Sequence, residues 1–259
     1  MKLLVDFDSL LYSCLYKVVS FGEIKVWFEK GISKDWMREK IILEANERLA
    51  NMSLGIIDEI WELGIEFDMT DVEYYLTSDM FSHRKQIAPS YKAKRKGNPW
   101  VRALRKYIID NESVEYSLEW ESDDLIYNRA KQLKEEGEDY VIATVDKDLN
   151  QIPGFHFDLY REKTGEIGEH GQEIRKYRGL QFVKEDVAEK FVWLQMIEGD
   201  AVDNIKGIPG LGKVKAAKAL EGIEKPSLLF IKVARLYKEK FEDWREEFRT
   251  NYKLLKLGF

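Results

Sequence analysis

Three short apolar runs in this chain each end in carboxylates. "KLLVDFD" reaches Asp6 and Asp8, "DVEYYLTSD" reaches Asp79, and "YVIATVDKD" reaches Asp146 and Asp148. Runs of this length and composition read as buried strands. Helical patterns separate them. The first covers residues 33 to 63, with Ser33 as N-cap and Met37, Ile41, Ala45, Leu49, Met52, Ile56 and Ile60 recurring at three or four; Gly55 interrupts it and Gly64 closes it. Asn98-Pro99 opens another, with Trp100, Leu104, Tyr107 and Ile108 on one face. A third, over residues 121 to 135, is buried through Ile126, Ala130 and Leu133 and ends at Gly137. "FHFDLYREKTGEIGEHG" reads as a hairpin turning near Thr164-Gly165, and the chain from Val183 onward reads as helical. Strands alternating with helices predict an α/β fold with a mainly parallel central sheet and flanking helices. The division expected is an α/β core over residues 1–182 and a helical region over 183–259.

In such sheets ligands sit beyond the carboxyl ends of the strands. The strand-end acids should therefore meet on one edge. Glu121, Asp123 and Asp124 open the third helix, and Asp200 and Asp203 stand three apart near the end of another. One acidic pair carries little weight. With 47 acids in 259 residues, roughly eight pairs arise by chance at any fixed spacing. Convergence carries more, because such a cluster repels itself unless cations enter. An oxygen-only donor set suits hard divalent ions, Mg²⁺ or Mn²⁺. Two such ions a few ångströms apart are an arrangement that cuts phosphodiesters.

The net charge of −6 argues against nucleic acid until its distribution is considered. From Phe81 to Tyr107 there are nine Lys or Arg and no acid, and from Asn204 to Leu220 four Lys and no acid. The second stretch contains "GIPGLGKVKAAKAL", which fits a helix–hairpin–helix: a tight Gly-Pro-Gly turn presents backbone N–H groups, and a helix begins at Gly212. Such a turn holds phosphates without reading sequence. Metal ions between aspartates and phosphates would reconcile the acids with the lysines that follow them. Cys14 is alone, which excludes a disulfide framework and a cysteine zinc site. His83, His156 and His170 form no local motif, no apolar run approaches a membrane span, and Asp6 interrupts any signal-like start. A cytoplasmic protein with no membrane partner is expected.

With these blocks in place the chain resembles the flap endonuclease and 5′–3′ exonuclease family, over roughly residues 3 to 220. "LLVDFDSLLY", "YYLTSD" followed by "SYKAKR", "ESDDLI", "TVDKDLNQI" and "GDAVDNIKGIPGLGKVKAAK" stand in the family's order. The size, the "IPGFHFDLYREKTGEI" hairpin and the insertion before the second strand most resemble its bacteriophage T7-type 5′–3′ exonuclease branch. The resemblance implies a PIN-like nuclease core, with Asp6, Asp79, Glu121, Asp123, Asp124, Asp146, Asp148, Asp200 and Asp203 as metal-site acids and two Mg²⁺ or Mn²⁺ ions. Asp8 departs from the pattern and is expected to cap a helix or support the others. Lys92 and Arg95 match the basic pair at the scissile phosphate, and Tyr91 an aromatic on which a terminal base stacks. Arg84, Lys94, Gly207, Gly210, Gly212, Lys213, Lys215 and Lys218 complete the expected DNA contacts, with a monovalent K⁺ at the hairpin. The implied substrate is duplex DNA with a 5′ end or flap, and an RNA–DNA hybrid beside it. The implied protein is a monomer, in the host cytoplasm if phage-encoded.

Two other classes fit parts of the pattern. A small metal-dependent ribonuclease of the same α/β type needs about four acids and no hairpin. A non-catalytic duplex-binding module needs the hairpin and no acids. Only about 25 residues separate Arg95 from Glu121, so any arch over the site is short.

Overall fold

The computed structural model describes residues 1–18, 34–78, 82–95, 97–167 and 173–259. Among these, one sheet carries the architecture. Strands β1 (Lys2–Asp6), β2 (Val72–Thr77), β3 (Glu115–Ser117), β4 (Tyr140–Thr144), β5 (Gly154–Ile167) and β6 (Glu173–Val183) lie in the order β3-β2-β1-β4-β5-β6. Every pairing is parallel except β5 with β6. The mainly parallel α/β sheet read from the sequence is therefore present.

Alternation along β1 sorts its side chains between two cores. Leu3 and Val5 face α1 (Asp8–Val18), α2 (Lys34–Glu62) and α4 (Pro99–Asn111) and pack with Leu11, Ile41, Leu49, Ile60, Leu104 and Val141. Leu4 faces α5 (Ser122–Glu136) and packs with Ile126, Ala130, Leu133 and Ile142. A further core joins α6 (Glu185–Glu198), α8 (Pro226–Lys240) and α9 (Trp244–Leu255) through Trp193, Met196, Val233, Tyr237 and Phe248. Tyr91, which follows the short helix α3 (His83–Ile87), is buried in that core as well.

Several local expectations hold for stated reasons. The Asn98 side chain accepts from the Trp100 amide, with Pro99 at the first helical position. Gly137 closes α5 at φ +75°, and Gly64 follows α2 at φ +82°, both in the left-handed region that glycine enters freely. Others change. Gly55 does not interrupt α2, which runs through it to Glu62. The hairpin is present as β5 paired with β6, but Thr164-Gly165 lies within β5, which continues to Ile167, paired with Glu173. β3 carries no apolar run and is held by parallel pairing to β2, so periodicity alone gave no signal for it. Ser33 lies outside the described residues.

After α6 the chain makes a two-stranded pair, β7 (Gly199–Asp200) with β8 (Ile205–Lys206), then a turn into α7 (Lys213–Ala219). Ile208 to Leu211 form a β-turn closed by the Leu211 amide on the Ile208 carbonyl, 3.0 Å, with Pro209 second and Gly210 at φ +79° third. Gly199 and Gly207 touch backbone to backbone. A Cβ on Gly207 would lie 2.2 Å from the Glu198 carbonyl carbon, and one on Gly199 2.2 Å from the Gly207 amide. A Cβ on Gly55 would meet nothing within 4 Å. Gly55→Ala should therefore stabilise the fold by about 0.5–1 kcal/mol, whereas Gly207→Ala should cost about 3 kcal/mol or more. Denaturant unfolding of both variants checks the contrast.

Candidate active site

Because β1, β2 and β4 are parallel, their carboxyl ends share one edge. Asp6 is the last residue of β1 and is buried at 4% exposure. Its Oδ2 accepts from Ser9 Oγ (2.6 Å) and Thr144 Oγ1 (2.9 Å), and its Oδ1 from the Asp8 amide (3.1 Å). Asp146 follows β4, and its carboxylate accepts from the Asp148 amide at 2.9 Å, capping the 3₁₀ turn over Lys147–Gln151. Burial, followed by the negative charges of Asp8 and Asp146, pushes the Asp6 carboxyl up to about 7. Burial and then the charge of Asp146 push Asp148 up to about 7, with Asp200 and Asp203 adding to the rise and Lys147 opposing it.

Asp200 ends β7 and Asp203 lies in the loop that leads to β8. Asp200 Oδ1 accepts from the Val202 and Asp203 amides at 2.8 and 3.1 Å, and its Oδ2 from Lys147 Nζ at 2.9 Å. Asp203 Oδ1 accepts from Arg95 Nη2 at 2.5 Å. The turn over Ser90–Arg95 is clipped to this loop through its backbone. The Lys92 amide donates to the Asp203 carbonyl and Asn204 Nδ2 to the Ser90 carbonyl, both at 2.9 Å. Lys92 and Asn204 take up φ of 53° and 61° to make the junction.

The third acidic group opens α5. Glu121 Oε2 accepts from Lys92 Nζ (2.8 Å), Tyr91 Oη (2.9 Å) and Arg84 Nη1 (3.0 Å). Burial works to raise this carboxyl, but the charges of Lys92 and Arg84 prevail and hold it at about 2. Burial, with the charges of Asp124 and Glu121, pushes Asp123 well above the usual carboxylate range against the pull of Arg84. Lys92 Nζ also stands 3.8 Å from Asp203, so one ammonium spans the two acidic groups.

Eight of the nine sequence-derived acids thus lie along one edge, in three sets joined by Lys147 and Lys92; the ninth, Asp79, lies outside the described residues. Three assigned roles need correction. Arg84 does not face DNA: it is 1% exposed, grips Asp124 with two bonds of 2.6 Å, and donates from Nε to the Leu254 carbonyl at 3.0 Å. Asp124 is 0% exposed and also accepts from the Gly258 amide at 2.9 Å, so both its oxygens are taken up by protein. Tyr91 is buried, with its hydroxyl on Glu121, and presents no ring face to a base. In each case tertiary burial decided, and local sequence carries no sign of it. Asp8 is a supporting group, as expected: it accepts from the Thr77 amide (3.0 Å), Ser122 Oγ (2.9 Å) and Arg105 Nη2 (2.6 Å). Lys94, Gly210, Gly212, Lys213, Lys215 and Lys218 are exposed; Lys215 Nζ donates to the Gly210 carbonyl at 2.9 Å. The half-buried Gly207 is required by its contact with Gly199.

The donor chemistry fits hard divalent ions: oxygen-only, partly buried, with two carboxyls driven up to about 7 by burial and mutual repulsion. Among the described residues no three of His, Cys, Asp and Glu are closed around a common point as a formed metal site. Lysine and arginine side chains occupy several of the carboxylate oxygens instead. Among the described residues no helix is long and apolar enough to cross a membrane.

No family model matches the chain. A DNA polymerase I from Rhizobium leguminosarum is 31% identical over 183 residues, 64% of this chain and 17% of the polymerase. The chain therefore spans about a sixth of that relative's length. A flap endonuclease Xni from Shewanella oneidensis is 28% identical over 200 residues, covering 73% of this chain and 72% of the relative. The chain is similar to flap endonucleases and to the 5′–3′ exonuclease-bearing polymerases. The fold points the same way. A bacteriophage T5 protein co-crystallised with metal ions matches with a TM-score of 0.58 and 13% identity, over 99% of this chain and 89% of that one. The T5 flap endonuclease in a pseudo-enzyme–product complex with DNA and metal ions matches with a TM-score of 0.56 and 13% identity, over the same shares. Nothing in these neighbours separates a T7-type branch from the rest of the family.

The raised carboxyls carry a pH signature. A group bound more tightly to its proton in the folded state stabilises the fold most below its unfolded pKa, near 4. That contribution is lost as pH rises to about 7, and it then levels off. The metal-free protein should melt lower at pH 8 than at pH 5, by on the order of 5 °C. Asp6→Asn and Asp148→Asn should each flatten the dependence. Calorimetric scans across that window test this; a melting temperature that rises from pH 5 to 8 in the wild type would contradict it.

Proposed function

We propose that the chain is a metal-dependent 5′ nuclease that hydrolyses phosphodiester bonds at 5′ ends or flaps of duplex DNA without reading sequence. The observation that carries this reading is one junction. The acidic carboxyl edge of the sheet lies against the Ser90–Arg95 turn, and that turn is clipped to the β7–β8 loop that leads into the glycine-rich hairpin. Residues 1–182 supply most of the acids and the basic turn, and residues 183–259 add Asp200, Asp203 and the hairpin. The relatives named flap endonuclease and the T5 enzyme's complex with DNA and metal ions support the same assignment.

Asp6, Glu121, Asp123, Asp146, Asp148, Asp200 and Asp203, joined by Asp79, are the residues proposed to hold two Mg²⁺ or Mn²⁺ ions. Asp124 is reassigned to fix Arg84 and the start of α5. When bound, such ions supply the positive charge that activates a water and stabilises the leaving oxygen. Lys92 and Arg95 have a second task. Both neutralise site acids in the DNA-free protein. Once other cations take those acids, both can turn to the scissile phosphate, where positive charge opposes the charge that grows during attack. Lys213, Lys215 and Lys218, with the exposed Gly210 and Gly212, hold backbone phosphates away from the chemistry. K⁺ at the hairpin and cleavage of RNA–DNA hybrids belong to the same proposal, supported by family resemblance.

Labelled blunt duplex, flapped DNA and an RNA–DNA hybrid, each incubated with Mg²⁺, test the activity: short products from 5′ ends are expected, and a shifted band without products would contradict it. Variants separate the roles. Lys92→Ala should lower single-turnover cleavage strongly and leave duplex affinity within a few-fold. Lys213→Ala with Lys215→Ala should weaken binding and flatten the slope of log affinity against log salt by up to about 2 units, near 0.9 per lost phosphate contact. An unchanged slope would remove the hairpin lysines from the interface.

A further inference from the structure

Two buried glutamines lie behind Asp148 and take no part in the chemistry described so far. Gln195, on α6, donates from Nε2 to Asp148 Oδ1 at 2.7 Å. Its own Oε1 accepts from Gln151 Nε2 at 3.2 Å. Gln151 Nε2 donates also to the Leu255 carbonyl at 2.7 Å, and Gln151 Oε1 accepts from the Leu257 amide at 3.2 Å. Both side chains are about 95% buried, at 4% and 5% exposure.

The order of these bonds is fixed by the backbone. An amide side chain can turn over and exchange its donor for its acceptor, and only its partners decide between the two. The Leu257 N–H can only donate and the Leu255 carbonyl can only accept, so Gln151 has one orientation that satisfies both. That orientation aims Nε2 at Gln195, whose oxygen must then face Gln151. Gln195 is left with its NH₂ toward Asp148. A reversed Gln195 would set an amide oxygen against a carboxylate inside the protein, where an unpaired polar contact is costly. The result is a neutral donor delivered to one oxygen of an acid already crowded by Asp146, Asp200 and Asp203, leaving Oδ2 outside that bond.

The segment that sets this order reaches the other acidic group as well. Leu254 accepts from Arg84 Nε at 3.0 Å, and the Gly258 amide donates to Asp124 at 2.9 Å. Gly258, at φ +67°, lies so close to α5 that a Cβ there would meet the Tyr127 ring at 2.4 Å. Residues 254–258 therefore touch Asp124 directly and Asp148 through two glutamines.

We propose that Gln195 is a positioning residue for Asp148, oriented through Gln151 by the backbone of residues 255–257, and that it prepares this carboxylate for a divalent ion. The inference rests on the proposed metal role of Asp148. Such supporting hydrogen bonds typically change metal affinity about 10–100-fold.

Calorimetric titration of the full chain with Mn²⁺, without DNA, tests it. Wild type, Asp148→Asn, Gln195→Met and Gln151→Met are compared, with circular dichroism to confirm folding and duplex affinity measured in parallel. Gln195→Met should weaken Mn²⁺ binding at least about tenfold while duplex affinity stays within twofold. Gln151→Met should weaken it in the same direction, and it serves as the test if Gln195→Met does not fold. Wild-type Mn²⁺ affinity in the folded glutamine variants, with loss in Asp148→Asn, would overturn the positioning role and leave the metal reading standing. Equal affinity in wild type and Asp148→Asn, or no saturable binding in wild type, would overturn the metal role of Asp148 itself and the inference with it.

Discussion

Crowding of carboxylates at one edge of the sheet is the constraint around which the rest of the structure is arranged. Parallel strands must end together, and here they end in acid. Hydroxyl groups of Ser9 and Thr144 hold Asp6, but they cannot offset repulsion. Protein cations do so in part. Lys147 pairs with Asp200, Arg95 with Asp203, Arg105 with Asp8, and Lys92 with both Glu121 and Asp203. Burial first, and then the neighbouring carboxylates, keep Asp6 and Asp148 far above the usual carboxylate range, so the protein's own cations do not fully compensate the edge. A site left short of positive charge favours divalent cations. Filling it frees the same lysine and arginine for phosphate.

That exchange depends on exact placement of the basic turn, and two backbone-level devices provide it. Lys92 and Asn204 adopt left-handed conformations where the turn meets the hairpin loop, at a cost of order 1–3 kcal/mol each that the surrounding bonds must offset. Gly199 and Gly207 allow the loop to close on itself with no room for a side chain. Beneath this, Arg84 is fixed by Asp124, Glu121 and the Leu254 carbonyl, which joins α3 to α5 and α9. Removing one member of such a buried set leaves uncompensated charge, so these groups act as a unit.

Much of this was legible in the sequence where local chemistry decides it. Apolar runs gave β1, β2 and β4, and capping residues gave the start of α4 and the end of α5. The gathering of Asp6, Asp146 and Asp148 was legible because a parallel sheet brings strand ends together, which is topology rather than detail. The misreadings share one cause. "SHRKQ" and "SYKAKR" look alike as basic surface, and nothing local says that Arg84 is buried while Lys94 is exposed. Likewise Asp123 and Asp124 are adjacent, and only the tertiary position of Arg84 separates the half-buried acid from the sealed one. Gln151 and Gln195 were invisible because their role depends on a backbone segment about 60 to 100 residues away, with the Leu255 carbonyl 104 residues from Gln151.

The central claim is that the acidic edge is a divalent-ion site held in waiting by the protein's own cations. Diffraction from crystals grown with millimolar Mn²⁺ and recorded at the manganese absorption edge tests it most directly. The account predicts anomalous peaks among Asp6, Glu121, Asp123, Asp146, Asp148, Asp200 and Asp203, with the Lys92 ammonium withdrawn from Glu121. An intact fold with no manganese at that edge, or manganese only elsewhere on the surface and Lys92 still on Glu121, would contradict it.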